Sequence, residues 1–186
     1  MMKWNIPNLL SLFRIIAAPF LLLSGWLGIP TLFYVILGFM LLSDALDGFL
    51  ARLLNQTSPL GARLDTYGDI LTYISTLGAA WWLWPDLIKN ELDYIVFAAV
   101  LYAIPALFSF IKFGKLASYH TWVTKISAVM MGVGVVTLLL FKEPMVFHWA
   151  VYFLLIEMME NIAITLLIKE QQSNIHSIWH ALKTRK

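Results

Sequence analysis

Six apolar stretches, each about long enough to cross a bilayer, occupy most of this 186-residue chain. A membrane-spanning helix needs about 20 predominantly apolar residues, and such runs lie at 6–27, 31–54, 59–84, 94–111, 121–141 and 145–168. They predict an all-α integral membrane protein of six transmembrane helices, with short interfacial amphipathic segments at the termini. Charged residues make up 13% of the chain, against roughly 25% in soluble domains, and six spans leave no room for a sizeable soluble domain beside them. The runs at 31–54 and 59–84 carry Asp44, Asp47, Arg52, Arg63, Asp65 and Asp69, yet their breakers fall between them. Ser58 can cap a helix there and Pro59 can take its first position. Pro30 and Pro144 suit the first turns of two other spans, and Pro19 and Pro105 sit inside helices, where a membrane protein tolerates a kink. No repeat, heptad or low-complexity tract breaks the pattern, so 1–186 reads as a single membrane domain. The run after Lys3 continues past Arg14 and further spans follow, so the first helix reads as retained.

The absence of cysteine excludes disulfides, thiolate metal sites and cysteine nucleophiles. A net charge of +2 gives no reason to expect a nucleic-acid partner. With six spans, both ends and the second and fourth connections share one side. That side holds Lys3, Arg14, Arg52, Arg63, Lys112, Lys115, Lys125, Lys169, Lys183, Arg185 and Lys186, eleven residues against Lys89 and Lys142 on the other. The positive-inside rule then places both termini in the cytoplasm. In the tail, 170–186, the residues Ile175, Ile178, Trp179 and Leu182 fall at helical spacing beside Lys183, Arg185 and Lys186. That pattern suits a basic interfacial helix on an anionic leaflet, or a solvated tail.

Four carboxylates interrupt the apolar pattern within 26 residues, 44–69. Asp44 and Asp47 are three apart and Asp65 and Asp69 four apart, so each pair shares a helix face. A tight turn joins the two helices, and the faces can converge. A charged aspartate at membrane depth costs about 2.5 to 3.5 kcal/mol on insertion scales, and four like charges together need compensating cations. Oxygen-only ligation suits Mg²⁺ or Mn²⁺ rather than zinc. Two such ions would nearly neutralise the four acids and form a clamp for phosphoryl chemistry. Gly48 and Gly61 permit close approach of a helix or a phosphate, and Arg52 supplies the fork that a phosphate prefers. The alternative is a buried ion network in which Arg52 and Arg63 neutralise the acids; the acids outnumber those bases.

Written as a pattern, Asp44-x2-Asp47-Gly48-x2-Ala51-Arg52-x8-Gly61-x3-Asp65-x3-Asp69 resembles the signature of the CDP-alcohol phosphotransferase family, membrane enzymes that make phospholipid head groups. All eight fixed positions match in order and spacing. The opening Ile6-Pro7-Asn8-Leu-Leu-Ser11-Leu-Phe-Arg14 is similar to that of bacterial members, where threonine commonly stands at the Ser11 position. The resemblance implies transfer of a phosphatidyl-type group from a CDP-linked lipid such as CDP-diacylglycerol to a small alcohol, with release of CMP and with two divalent cations, Mg²⁺ or Mn²⁺. It implies Asp44, Asp47, Asp65 and Asp69 as metal ligands, with Asp69 also the general base. It implies Gly48, Ala51, Arg52 and Gly61 as the walls of the CDP pocket, with Asn8 and Ser11 contributing from the first helix. It further implies a homodimer in a bacterial-type inner membrane, with the site open to the cytoplasmic leaflet.

The acceptor is less legible. Lys112, Lys115, His120 and Lys125 gather around the fourth connection, where Lys115, His120 and Lys125 could hold a phosphate-bearing acceptor or simply express the positive-inside bias. Glycerol 3-phosphate is the first expectation, with inositol, its phosphate or serine next. The family members that use glycerol 3-phosphate carry a Gly-Lys-x-Lys-Thr element and an arginine-rich fourth helix, whereas 94–111 holds no arginine. Glu157, Glu160 and Asn161 share a face of the last span, either as a helix contact or in a function. Two rival classes, a Mg²⁺-dependent membrane prenyltransferase and a small divalent-cation transporter, also use clustered aspartates. The first needs two separated aspartate motifs and more helices, and the second gains nothing from Arg52.

Overall fold

Capping residues and prolines set where the helices begin. The structure, a computed structural model, describes residues 5–54, 56, 58–114, 119, 121–168, 178 and 179, without the side chains of 52, 59 and 62. Seven helices run in the order α1 (Ile6–Trp26), α2 (Pro30–Leu53), α3 (Pro59–Leu83), α4 (Pro85–Asn90), α5 (Leu92–Phe113), α6 (Trp122–Phe141) and α7 (Met145–Leu167). Asn5 caps α1 by accepting the Asn8 N–H. Ser58 caps α3, its oxygen taking the Gly61 N–H at 3.0 Å, and Pro59 opens that helix as its fixed φ favours. Thr121 caps α6 through the Thr124 N–H. Gly114, at φ +66°, ends α5 in the left-handed conformation that glycine adopts without strain.

The six long helices correspond to the six apolar runs, and only the short α4 is additional. Five of them, all but α3, are long and apolar enough to cross a membrane by length and composition. α3 has the length, 25 residues, but Arg63, Asp65, Asp69, its three threonines and Ser75 lower its hydropathy. Large apolar side chains such as Phe39, Ile74, Leu107, Val129 and Leu166 stay exposed along the helices, as lipid favours and water does not. The chain is an integral membrane protein.

It packs as two compact units, residues 1–88 and 89–186. In the first, α1 packs on both α2 and α3. The seam is made of small side chains: Ala17, Ala18, Ser24 and Gly25 on α1, with Thr72, Ser75, Thr76, Ala79 and Ala80 on α3, are all buried. Lipid tails are as apolar as the helices, so close backbone approach, not apolar burial, holds such a seam. Rings close one end of this unit, with Trp84 edge-on to Phe33 at 5.3 Å and stacked on Tyr34 at 5.4 Å between centroids.

In the second unit, α7 packs on α5 and α6. Its buried stripe runs Phe147, Ala150, Val151, Leu154, Glu157, Ile164, Thr165, an apolar face with one acid in it. Lys112, in the last turn of α5, donates to the carbonyls of Thr165, Leu166 and Ile168 at 2.7, 3.1 and 3.0 Å, a positive charge on the negative end of α7. Tyr119, Ile164 and Ile168 form a small core there, with Ile178 packed against it. Elsewhere in this unit His148 Nε2 and Glu91 Oε2 lie 2.5 Å apart. Of the tail expected at 170–186, only Ile178 and the exposed Trp179 lie among the described residues.

Candidate functional site

Three helices of the first unit converge on one charged cluster. α2 supplies Asp44 and Asp47 and α3 supplies Asp65 and Asp69, each pair one turn apart and so on one face. Asp44, Asp47 and Asp65 each place a carboxylate oxygen within 4.8 Å of the others. The side chain at their centre comes from α1. Arg14 is 1% exposed, and its Nη2 donates to Asp47 Oδ2 at 2.6 Å and to Asp65 Oδ1 at 2.5 Å. Its Nη1 donates to Asp44 Oδ1 and Asp69 Oδ1. One guanidinium thus ties all four acids into a single group.

The four carboxylates differ in access. The Asp47 side chain is 6% exposed and also accepts the Ser11 hydroxyl at 3.0 Å. Asp44, Asp65 and Asp69 are 50, 45 and 40% exposed. One acid is anchored and three present oxygens to an open face. The donor set is all oxygen, and one guanidinium offsets only one of four negative charges. Both facts suit hard divalent ions, so the residues present fit the metal chemistry that the sequence pattern implies.

Two glycines allow the approach. A Cβ at position 68 would stand 3.2 Å from Arg14 Nε, so Gly68 lets the guanidinium lie against α3. A Cβ at position 61 would stand 2.7 Å from Asn8 Oδ1; Gly61 and Asn8 therefore meet where α1 and α3 begin. Asn8 and Ser11 are both buried on α1, which puts them on the same side of α1 as Arg14. Gly48 and Ala51 follow Asp47 on α2 and are half-buried.

Arg14 is the site residue that sequence reasoning missed. The sequence names Arg52 and Arg63 as partners of the acids only in the alternative of a buried ion network, and it places Arg14 among the basic residues of the cytoplasmic side and in the opening similar to bacterial family members. Arg63 is instead exposed, and the Arg52 side chain lies outside the described residues. A signal existed: Arg14 is the one charged residue in the apolar run 6–27, and an ionisable group inside a span is functional by default. Of the residues expected to meet the acceptor, Lys115 and His120 lie outside the described residues. Lys125 belongs to the second unit and holds its Nζ 4.6 Å from the Trp122 ring centroid, a cation–π contact.

The profile of the CDP-alcohol phosphatidyltransferase family matches residues 4–169. Among curated relatives, a CDP-diacylglycerol–glycerol-3-phosphate 3-phosphatidyltransferase of Pectobacterium atrosepticum is 37% identical over 91 residues, 44% of this chain and 50% of the relative. The enzyme of the same description from Wigglesworthia glossinidia brevipalpis is 46% identical over 71 residues, 37% of this chain and 39% of the relative. A cardiolipin synthase (CMP-forming) of Rattus norvegicus is 38% identical over 126 residues, 63% of this chain and 38% of the relative. The chain thus spans half or less of the length of these relatives. No solved structure matches it. With the family profile matched across nearly its whole length and the fixed acids of the signature gathered around one guanidinium, this chain belongs to the CDP-alcohol phosphatidyltransferase family.

Proposed function

We propose that the protein transfers a phosphatidyl group from a CDP-linked lipid to the hydroxyl of a small alcohol, with release of CMP, in phospholipid synthesis. The observation that carries this reading is the gathering of Asp44, Asp47, Asp65 and Asp69 on one face with three of them open to a ligand. The names of the relatives support it. Asp44, Asp47, Asp65 and Asp69 would hold two divalent cations, Mg²⁺ or Mn²⁺. When bound, such ions supply positive charge against the diphosphate.

The chain's own residues do the rest. Asp69, 40% exposed, takes the proton of the acceptor hydroxyl as its oxygen bonds to the lipid-bearing phosphorus. The phosphorus–oxygen bond to CMP breaks, and CMP leaves with the electron pair. Gly48, Ala51, Arg52 and Gly61, with Asn8 and Ser11, shape the CDP pocket. The carboxylate–guanidinium contacts of Arg14, on α1, hold the acids of α2 and α3 in register.

Glycerol 3-phosphate, named by the bacterial relatives, is the first acceptor to test, with Lys115, His120 and Lys125 as its phosphate contacts. A second reading has the wider coverage of the cardiolipin synthases in its favour, 63% of this chain: a lipid acceptor with a free glycerol hydroxyl. The protein works as a homodimer in a bacterial inner membrane, its termini and site on the cytoplasmic side. Purified protein in CDP-diacylglycerol liposomes with Mg²⁺ or Mn²⁺ and a panel of acceptors should release CMP with one acceptor class and not without acceptor. Metal-dependent CMP release separates this reading from a prenyltransferase and from a cation transporter, neither of which makes CMP.

A further inference from the structure

Arg14 changes the charge that the acid cluster offers to a metal ion. Its guanidinium takes one oxygen of each acid: Asp47 Oδ2 at 2.6 Å, Asp65 Oδ1 at 2.5 Å, and Asp44 Oδ1 and Asp69 Oδ1. Arg14 is 1% exposed, whereas Asp44, Asp65 and Asp69 are 50, 45 and 40% exposed. The guanidinium therefore lies behind the carboxylates, and a ligand meets them from the open face. α3 closes on it, since a Cβ at position 68 would stand 3.2 Å from Arg14 Nε and 3.3 Å from Cζ. Among the described residues Arg14 is the one cation paired with these acids. Turning it away from them would leave a buried charge without a counter-charge, a cost that burial makes large. Arg14 stays in place while metal ions load.

A carboxylate must be ionised to hold a metal, so four negative charges and the one positive charge of Arg14 leave −3. One divalent cation brings the sum to −1, and a second brings it to +1. Without Arg14 the same two ions would end at zero. The excess positive charge falls beside a sealed guanidinium within membrane-spanning helices, where screening by salt is weak and like charges oppose one another strongly. A diphosphate diester brings its own negative charges and reverses the excess. We infer that Arg14 sets the loading order of the site: the acids hold one divalent cation by themselves and take the second only together with the diphosphate of the CDP-linked lipid. This inference rests on the phosphatidyl-transfer reading for the identity of that substrate. Arg14 is thus a positioning residue whose charge makes the second ion and the diphosphate depend on each other, and linkage requires each to raise the other's affinity by the same factor.

The test reads metal binding rather than turnover. Full-length protein, purified in detergent and stripped with chelator, is dialysed to equilibrium against Mn²⁺ alone, with cytidine or with CDP. The excess Mn²⁺ per chain and its EPR spectrum are then measured. The wild type should hold one ion alone or with cytidine, which lacks the diphosphate, and two with CDP, with the broadened spectrum of neighbouring ions. CDP should lower the Kd of the second ion at least tenfold, inside the roughly 5- to 150-fold range usual for coupled ligands. Arg14→Met, which keeps bulk without charge, should hold two ions without CDP, and Arg14→Lys, which keeps the charge, should return to one. Arg14→Met can be purified in Mn²⁺ if it does not survive stripping, and the wild-type measurements decide the stoichiometry without it. Two ions on the wild type without CDP, an equal second Kd with CDP and with cytidine, or one ion on Arg14→Met without CDP would each overturn the inference and leave the transfer reading standing. No Mn²⁺ bound under any condition would overturn both. The expected binding, with no CMP released from CDP-diacylglycerol liposomes by any acceptor, would support the loading order and overturn the transfer reading alone.

Discussion

At the scale of single residues, the proposed chemistry depends most on Asp69 and Arg14. Asp69 combines an open carboxylate with membership of the acid cluster, so Asp69→Asn should lower CMP release by about 10²- to 10⁴-fold. It should elute and melt like the wild type, because the amide keeps the shape; near-normal CMP release from it would remove Asp69 as base. Arg14 is fully buried and holds four carboxylates, and removing one partner of a buried ion pair costs about 3 to 5 kcal/mol. Arg14→Ala should therefore melt well below the wild type in chelator. Added Mn²⁺ should raise its Tm by more than it raises the wild type's, since more negative charge is left to neutralise; equal shifts would contradict the charge accounting. Gly68→Leu, which puts a side chain against the Arg14 guanidinium, should lose activity without any acid being changed.

Among the elements, the helices were legible where a local rule wrote them. Ser58 and Pro59 mark the start of α3 in the sequence; Asn5 and Thr121 cap α1 and α6 in the same way and Gly114 ends α5 with a positive φ, but these three emerge only from the structure. Ser58→Ala should cost about 1 kcal/mol, read as a lower midpoint in detergent unfolding, and it loosens the start of the helix that carries Asp65 and Asp69. The acid pairs were legible for the same reason, because spacings of three and four fix a helix face before any packing is known. Arg14 was legible as a lone charge inside a span, but its four partners were not, because they depend on a non-local fact: which face of α1 packs against the acid-bearing faces of α2 and α3. The short α4, Pro85–Asn90, was hidden because it lies between the apolar runs 59–84 and 94–111 and reads as part of their connection. Glu157 was visible as an acid in a span, but the residues that meet it from α6 belong to another helix and needed the fold.

The whole molecule distributes its 24 charged residues unevenly, and those that gather within α1, α2 and α3 mark the proposed site. The proposed orientation rests on the basic residues outside them. The chain has no cysteine, so single substitutions report topology cleanly: Glu143→Cys should react with a membrane-impermeant thiol reagent in intact cells, and Lys183→Cys only after lysis. The opposite pattern would invert the orientation and place the acids at the wrong leaflet. The most direct test of the central claim is CMP release by the purified full chain in CDP-diacylglycerol liposomes, with the acceptor panel, with and without divalent cation. The account predicts CMP and a phosphatidylated product in equal amounts, both abolished by chelator and by Asp69→Asn. Absence of CMP with every acceptor, or CMP release indifferent to chelator, would contradict it.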